Sequence, residues 1–281
     1  MAADDVTGAR LAVWGDPIAH SQSPALHAAA YRVLGLDWHY DRRRVAADEF
    51  EGAVRGLDSS WRGLSLTMPL KEVAHRFAAT HDPHAQSTGA VNTLLLGARP
   101  AGFNTDVGGI VDALAEAGIT SARTARILGA GATASSALVA LAELGVARVE
   151  VRARRPERAA GLRALGDDRL GVGVAVQPLA SAEVAETPRA VDVTVATLPS
   201  GTILPPEVAE PLAARGGALF DAAYAPWPSA LASVWGTGTV VSGLGMLLHQ
   251  AVRQIRIFHH GDPLAPLPDE PEVLAAMREA L

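Results

Sequence analysis

The sequence predicts an α/β fold in two parts, and three observations predict it. Strand-like and helix-like segments alternate along most of the 281 residues, the pattern of parallel strands joined by crossover helices. A glycine-rich turn at residues 129–131 sits between a strand and a helix. The apolar content is 49% of the chain but only 5% is aromatic, so small side chains dominate and suit helices pressed onto a sheet.

Taken in order, Leu11–Trp14, Trp38–Val45, Gly63–Met68 and Val91–Leu96 read as strands. Pro24–Leu34, Asp48–Leu57 and Leu70–Ala78 read as the helices between them. A second series begins near Asp106, with strands at Ala125–Leu128, Arg148–Arg152, Val172–Val176, Val191–Ala196, Ala218–Asp221 and Thr239–Val241. Its clearest helices are Ala132–Leu144 and Pro156–Leu165. Two closing helices, Gly243–Phe258 and Glu270–Ala280, follow the series and are expected to return to the first part. Pro205-Pro206 and the stretch from Pro263 to Pro271 read as turn-rich connections. The domains expected are therefore 1–106, completed by 243–281, and 107–242.

Composition excludes several classes. A net charge of −6 argues against a nucleic-acid binder. There is no cysteine, hence no disulfide, thiolate metal site or cysteine nucleophile. Met1 to Arg10 has two early aspartates and no apolar core, unlike a secretory signal, and no run approaches a membrane span. The expectation is a soluble cytoplasmic protein with a short frayed N-terminus, a monomer or a homodimer.

Of 24 basic residues only Lys71 is a lysine. Arginine stays charged at any working pH, whereas an ammonium can gain and lose a proton. A lone lysine, just after a proline that breaks a strand-like run, is thus a candidate acid/base group. A plain surface lysine is the alternative at this point.

Gly129-Ala130-Gly131-Ala132-Thr133-Ala134 follows a strand and opens a helix, the G-x-G-x-x-A form of the dinucleotide fingerprint of a Rossmann-type domain. Gly129 allows the tight turn, Gly131 lets backbone approach a pyrophosphate, and Ala134 keeps the helix close to the sheet. The helix N-terminus faces the phosphates. The next strand chooses between cofactors, because an acidic residue at its end accepts from a ribose 2′-hydroxyl. Here that end carries Arg154, Arg155 and Arg158, planar donors for a 2′-phosphate, and Glu150 lies too early in the strand. NADP is the cofactor expected.

Near the start, Gly15-Asp16-Pro17-Ile18-Ala19-His20-Ser21-Gln22-Ser23-Pro24 leads from strand to helix. Ser23 as N-cap with Pro24 next is a sound helix start, and two hydroxyls beside free N–H groups also make a carboxylate site. With this loop, Thr67-Met68-Pro69-Leu70-Lys71, Gly89-Ala90-Val91-Asn92-Thr93-Leu94, Asn104-Thr105-Asp106, the fingerprint, and Gly243-Leu244-Gly245-Met246-Leu247 with Gln250, the chain resembles the shikimate/quinate dehydrogenase family over nearly its whole length. The resemblance implies an N-terminal substrate domain, a C-terminal NADP domain, and reversible reduction of 3-dehydroshikimate to shikimate by NADPH in chorismate and aromatic amino acid biosynthesis. It further implies that Ser21 and Ser23 bind the substrate carboxylate, and that Thr67, Asn92 and Gln250 hydrogen-bond ring hydroxyls. Tyr224 and Ser65 line the same site, Gly243 the cofactor site, and Lys71 and Asp106 form the central acid/base pair.

The chain departs from the family's pattern at Ser65, often Asn, which bears on the fit of the ring. Ala132 stands for a glycine, Ala153-Arg154-Arg155 for Asn-Arg-Thr, and Phe103 and Ser242 where Asp is common. His20 is expected to support the serine loop, Trp227 to pack, and Arg42-Arg43-Arg44 to form an exposed face. No metal is expected. The competing readings are a quinate or quinate/shikimate dehydrogenase using NAD or NADP, and a regulatory protein that binds the metabolite without turnover.

Overall fold

The computed structural model describes residues 8–179, 189–236 and 238–281, so most of the expected frayed N-terminus lies outside the described residues. The chain divides into two compact units, Met1–Thr105 with Leu247–Leu281, and Asp106–Met246.

The first unit is built on a six-stranded sheet of β1 (Arg10–Gly15), β2 (His39–Arg44), β3 (Trp61–Leu66), β4 (Thr80–His81), β5 (Thr93–Leu95) and β6 (Ala101–Phe103), in the order β2-β1-β3-β5-β6-β4. β1 pairs in parallel with both β2 and β3. The expectation of a wholly parallel arrangement fails at β5, which runs antiparallel to β3 and β6. Only residues 96–100 join β5 to β6, and so short a link turns the chain back where a crossover would need a dozen residues or more. Helices α1 (Ser23–Leu34), α2 (Phe50–Arg55), α3 (Lys71–Phe77) and α4 (Pro83–Thr88) connect these strands.

Two apolar layers hold this unit. Trp14, Phe50, Leu64, Leu66, Leu70 and Leu94 fill one side of the sheet. On the other, Leu11, Val13, Leu26 and Tyr31 pack against Leu248, Val252, Ile255, Phe258, Val273 and Met277. The last six come from α10 (Gly243–His260) and α11 (Glu270–Glu279), so the closing helices do return to the first unit. Gly63 makes the contact possible, because a Cβ there would lie 2.4 Å from the Phe258 ring.

In the second unit, β7 (Thr124–Leu128), β8 (Arg148–Ala153), β9 (Gly173–Pro178), β10 (Val193–Ala196), β11 (Ala218–Asp221) and β12 (Val240–Ser242) form a sheet ordered β12-β11-β10-β7-β8-β9. Every recorded pairing in it is parallel. This is the doubly wound Rossmann pattern, whose strand order reverses beside β7. α5 (Asp106–Glu116) opens the unit, and α6 (Ala132–Glu143) covers the sheet with buried Ala134, Ser136, Ala137, Leu138, Val139, Ala140 and Leu141. Small residues let that helix lie close.

Two sequence expectations change here. Pro156–Leu165 is not one α-helix but a 3₁₀ turn (Pro156–Ala159), α7 (Ala160–Ala164) and a π turn (Leu165–Leu170). Pro206 does not belong to a connection but starts α8 (Pro206–Ala214), where the fixed proline φ suits a first helical turn. A short α9 (Ala230–Val234) follows.

Candidate functional site

The serine loop leaves β1 and enters α1. Its geometry corrects the expected cap: Gln22 is the N-cap, Ser23 the first helical residue, and no side chain caps the helix. The Ser21 hydroxyl instead accepts from the Ser23 N–H at 3.3 Å. Pro24 brings no N–H and the Ala25 N–H donates to the Gln22 carbonyl at 3.1 Å, so the serine hydroxyls are the groups this turn offers an anion. His20 is exposed, and the expected support comes from the arginine run. Arg42 Nη1 donates to the Ala19 carbonyl at 2.6 Å, and Arg44 pairs with Asp16 at 2.9 Å, holding that carboxyl below its usual range. Arg42 and Arg44 therefore do more than form a solvated face. The run's strand β2 lies at the sheet edge beside β1, which brings these side chains to the loop that β1 feeds.

Thr67 follows β3, and its N–H donates to the Trp14 carbonyl. Its methyl leaves no room for a side chain at Gly15, where a Cβ would sit 2.4 Å away. Met68–Pro69 is a cis bond, after which the chain enters α3 at half-buried Lys71.

Asn92 is 2% exposed and ties several of these residues together. The Val91 N–H donates to the Lys71 carbonyl at 2.9 Å. Asn92 Oδ1 accepts from the Thr105 N–H and from Thr93 Oγ1, both at 2.9 Å. Thr105 is the residue before Asp106, which is buried and begins α5. Ser65, also 2% exposed, donates its hydroxyl proton to Gln254 Oε1 at 2.7 Å. The Gln254 amide in turn donates to the Asn92 carbonyl at 3.3 Å. Gln250, one helical turn earlier, is buried and donates Nε2 to the Leu247 carbonyl at 2.9 Å. Reasoning from the sequence missed Gln254. Its signal was there: a second glutamine four residues after Gln250 on a helix face otherwise made of Ala251, Val252 and Ile255.

Beneath Ser23 and Ser65 lies a buried aromatic cluster. His27 stacks on Tyr40 at 3.8 Å between ring centroids, and its Nδ1 meets the Tyr31 hydroxyl at 2.9 Å. Burial pushes the His27 imidazole down to about 3. The Tyr40 hydroxyl faces Ser23 and Ser65, and burial raises its pKa above the ordinary range.

In the second unit, Gly129 has φ +116° and lies so close to Thr197 that a Cβ would meet Oγ1 at 2.5 Å. Only glycine fits there. Gly131, by contrast, would point a Cβ into open space, and it caps α6 without a side chain. The Ala134 N–H donates to the Gly131 carbonyl at 2.9 Å, while the backbone N–H groups of Ala132 and Thr133 stand at the helix start, where a pyrophosphate would meet them. Ala130 is half-buried, and Arg154, Arg155 and Arg158 all follow β8 closely and are all exposed. Glu150 is held inside the sheet by Arg126 at 2.8 Å and Arg152 at 2.6 Å, so it is committed away from any ribose. The residues present fit a 2′-phosphorylated dinucleotide. Gly243, at the start of α10, would press a Cβ to 2.2 Å from the Ala222 carbonyl. Tyr224 is half-buried, with its phenol pKa raised by burial. Trp227, expected to pack, is 40% exposed.

Residues 13–94 match the family described as shikimate dehydrogenase substrate binding domain. The chain is 36% identical over 277 residues to a shikimate dehydrogenase (NADP(+)) of Thermus thermophilus, covering 97% of this chain and 98% of the relative. The chain belongs to the shikimate dehydrogenase family. A second relative of the same description, from Methylobacterium radiotolerans, is 40% identical over 256 residues, 86% of this chain and 88% of that one. The crystal structure of Mycobacterium tuberculosis shikimate dehydrogenase superposes with a TM-score of 0.82 at 40% identity, covering 96% and 99% of the two chains. A Thermus thermophilus shikimate 5-dehydrogenase, solved in complex with NADP(H) and shikimate, gives a TM-score of 0.78 at 33% identity over 97% of this chain and 100% of that one.

Proposed function

We infer that the protein is an NADP-dependent oxidoreductase that interconverts 3-dehydroshikimate and shikimate in aromatic biosynthesis, acting in the cytoplasm. The observation that carries the reading is the bracket around Asn92. Hydrogen bonds join Val91 to the backbone of Lys71 and Asn92 to Thr105, the neighbour of Asp106. An ammonium and a carboxylate thereby belong to segments that are bonded to two adjacent residues, Val91 and Asn92.

In this reading residues 1–106 with 243–281 take the substrate, and residues 107–242 take the dinucleotide. Ser21 and Ser23 receive the carboxylate through their hydroxyls at the start of α1. Ser65, Thr67, Asn92 and Gln250 meet the ring hydroxyls, with Tyr224 against the ring. Gly129 to Ala134 and Gly243 line the dinucleotide, whose 2′-phosphate is taken by Arg154, Arg155 and Arg158. When bound, the nicotinamide supplies a hydride to the ring carbonyl carbon. Lys71 Nζ then faces an oxygen that gains negative charge, stabilises it and delivers a proton to it. In the reverse direction Lys71 accepts that proton. Asp106 orients the lysine through opposite charge.

The experiment is nicotinamide absorbance with shikimate or quinate, each with NADP⁺ or NAD⁺. Turnover confined to shikimate with NADP⁺ is the expected result. Preference for quinate or NAD⁺ would refute the substrate or cofactor assignment, and no turnover by folded protein would refute the enzyme reading.

A further inference from the structure

Gln254 takes no part in the proposed chemistry, yet its carboxamide has well-defined work. It is 2% exposed, and a buried amide left without partners would cost about 1–3 kcal/mol. Both of its ends are used, one by the Ser65 hydroxyl and the other by the Asn92 carbonyl. Those partners lie on β3 and just before β5, two strands paired antiparallel. One side chain from α10 thus fixes the Ser65 hydroxyl and the backbone of Asn92, two residues assigned above to the substrate ring.

The Ser65 bond has a direction with a chemical consequence. Gln254 Oε1 can only accept, because Nε2 faces the Asn92 carbonyl, which can only accept as well. Ser65 must therefore donate its one proton to Gln254. With its proton committed and the Tyr40 hydroxyl beside it, Ser65 can offer a ring hydroxyl only a lone pair, so that hydroxyl has to be the donor.

We propose that Gln254 is a positioning residue for substrate, holding Ser65 as an obligate acceptor and fixing the backbone at Asn92. This rests on the substrate reading of the first unit. Because Ser65 and Asn92 would touch ring hydroxyls and not the reacting oxygen, losing Gln254 weakens ground-state and transition-state binding alike. That raises KM and spares kcat.

Gln254→Glu tests this without changing shape. A protonated glutamic acid reproduces both bonds, its carbonyl accepting from Ser65 and its O–H donating to the Asn92 carbonyl. An ionised one repels that carbonyl. Burial raises a carboxyl pKa, so the variant should switch at a pH where the wild type does not. The titratable group against Gln254 is His27, with Tyr40 stacked on its ring and Tyr31 bonded to its Nδ1. In the wild type His27 stays neutral above about 3 and burial raises both tyrosines, so this cluster does not titrate across the range. In the variant the new carboxylate favours a charged His27, and adding His27→Gln to Gln254→Glu separates the two.

The experiment measures kcat and KM for shikimate with NADP⁺ from about pH 6 to about pH 9, in wild type, Gln254→Glu and Gln254→Leu. At the acid end the KM of Gln254→Glu should lie within about threefold of wild type. At the alkaline end it should rise about tenfold or more, with kcat and the KM for NADP⁺ little changed. Gln254→Leu should show the high KM at every pH; if it does not fold, the pH profile of Gln254→Glu decides. A shikimate KM for Gln254→Glu that follows the wild type across the range, with only melting temperature lowered, overturns the proposal and leaves the enzyme reading standing. A wild type inactive on shikimate overturns both.

Discussion

Arg126 and Glu150 face each other in the register of β7 and β8, joined at 2.8 Å, with the arginine side chain fully buried. Burial opposes the charge of Arg126 and Glu150 sustains it. Arg152 approaches the same carboxylate at 2.6 Å, so one acid serves two guanidiniums inside the dinucleotide-binding sheet. Glu150→Ala leaves Arg126 charged and uncompensated. A loss of about 3–5 kcal/mol is expected, read as a lower urea midpoint. A change under about 1 kcal/mol would mean the pair is not needed for stability.

Lys71→Ala should lower kcat for shikimate oxidation by about 100-fold or more, the scale of a lost general acid/base group. Melting temperature should hardly move, since the side chain is half-buried at the start of α3. Full activity in this variant would remove Lys71 from the mechanism even with the substrate correctly assigned.

Replacing Arg154, Arg155 and Arg158 together by Ala removes the donors proposed for a 2′-phosphate. Charge-assisted bonds are worth about 1.5–3 kcal/mol. The KM for NADP⁺ should rise about tenfold or more, while that for NAD⁺ stays near its wild-type value. Equal losses for both cofactors would mean the arginines support the fold and do not select between them.

His27 carries a pH prediction. Its folded pKa, about 3, is depressed from the ordinary 6.5. As pH falls below 6.5 the unfolded chain binds the proton first, so this contribution to stability is complete above 6.5 and is lost toward 3. The slope is about 1.4 kcal/mol per pH unit. Between about pH 6.5 and pH 5, the wild type should lose about 2 kcal/mol more than His27→Gln in urea unfolding. Parallel curves would show that His27 titrates equally in both states.

Much of this protein was legible from local pattern alone. Alternating segments and the turn at Gly129 and Gly131 predicted the α/β class and the dinucleotide-binding sheet, because periodicity and turn chemistry are properties of neighbours in the chain. Lys71 stood out by composition, and the arginines after β8 by their place relative to the fingerprint. β5 and β6, of three residues each, were too short for strand direction to be read.

Partners far apart in the chain were decided only by tertiary structure. Arg42 bonds a loop 23 residues earlier. Ser65 and Asn92 are held by a glutamine 189 and 162 residues away. A buried polar side chain must find a partner, but which one depends on the helices and strands that packing brings beside it. By itself the sequence determined which groups the chain carries and the kind of fold that presents them. Only the packing of α10 against the first sheet decided that Gln254 would orient Ser65 and Asn92.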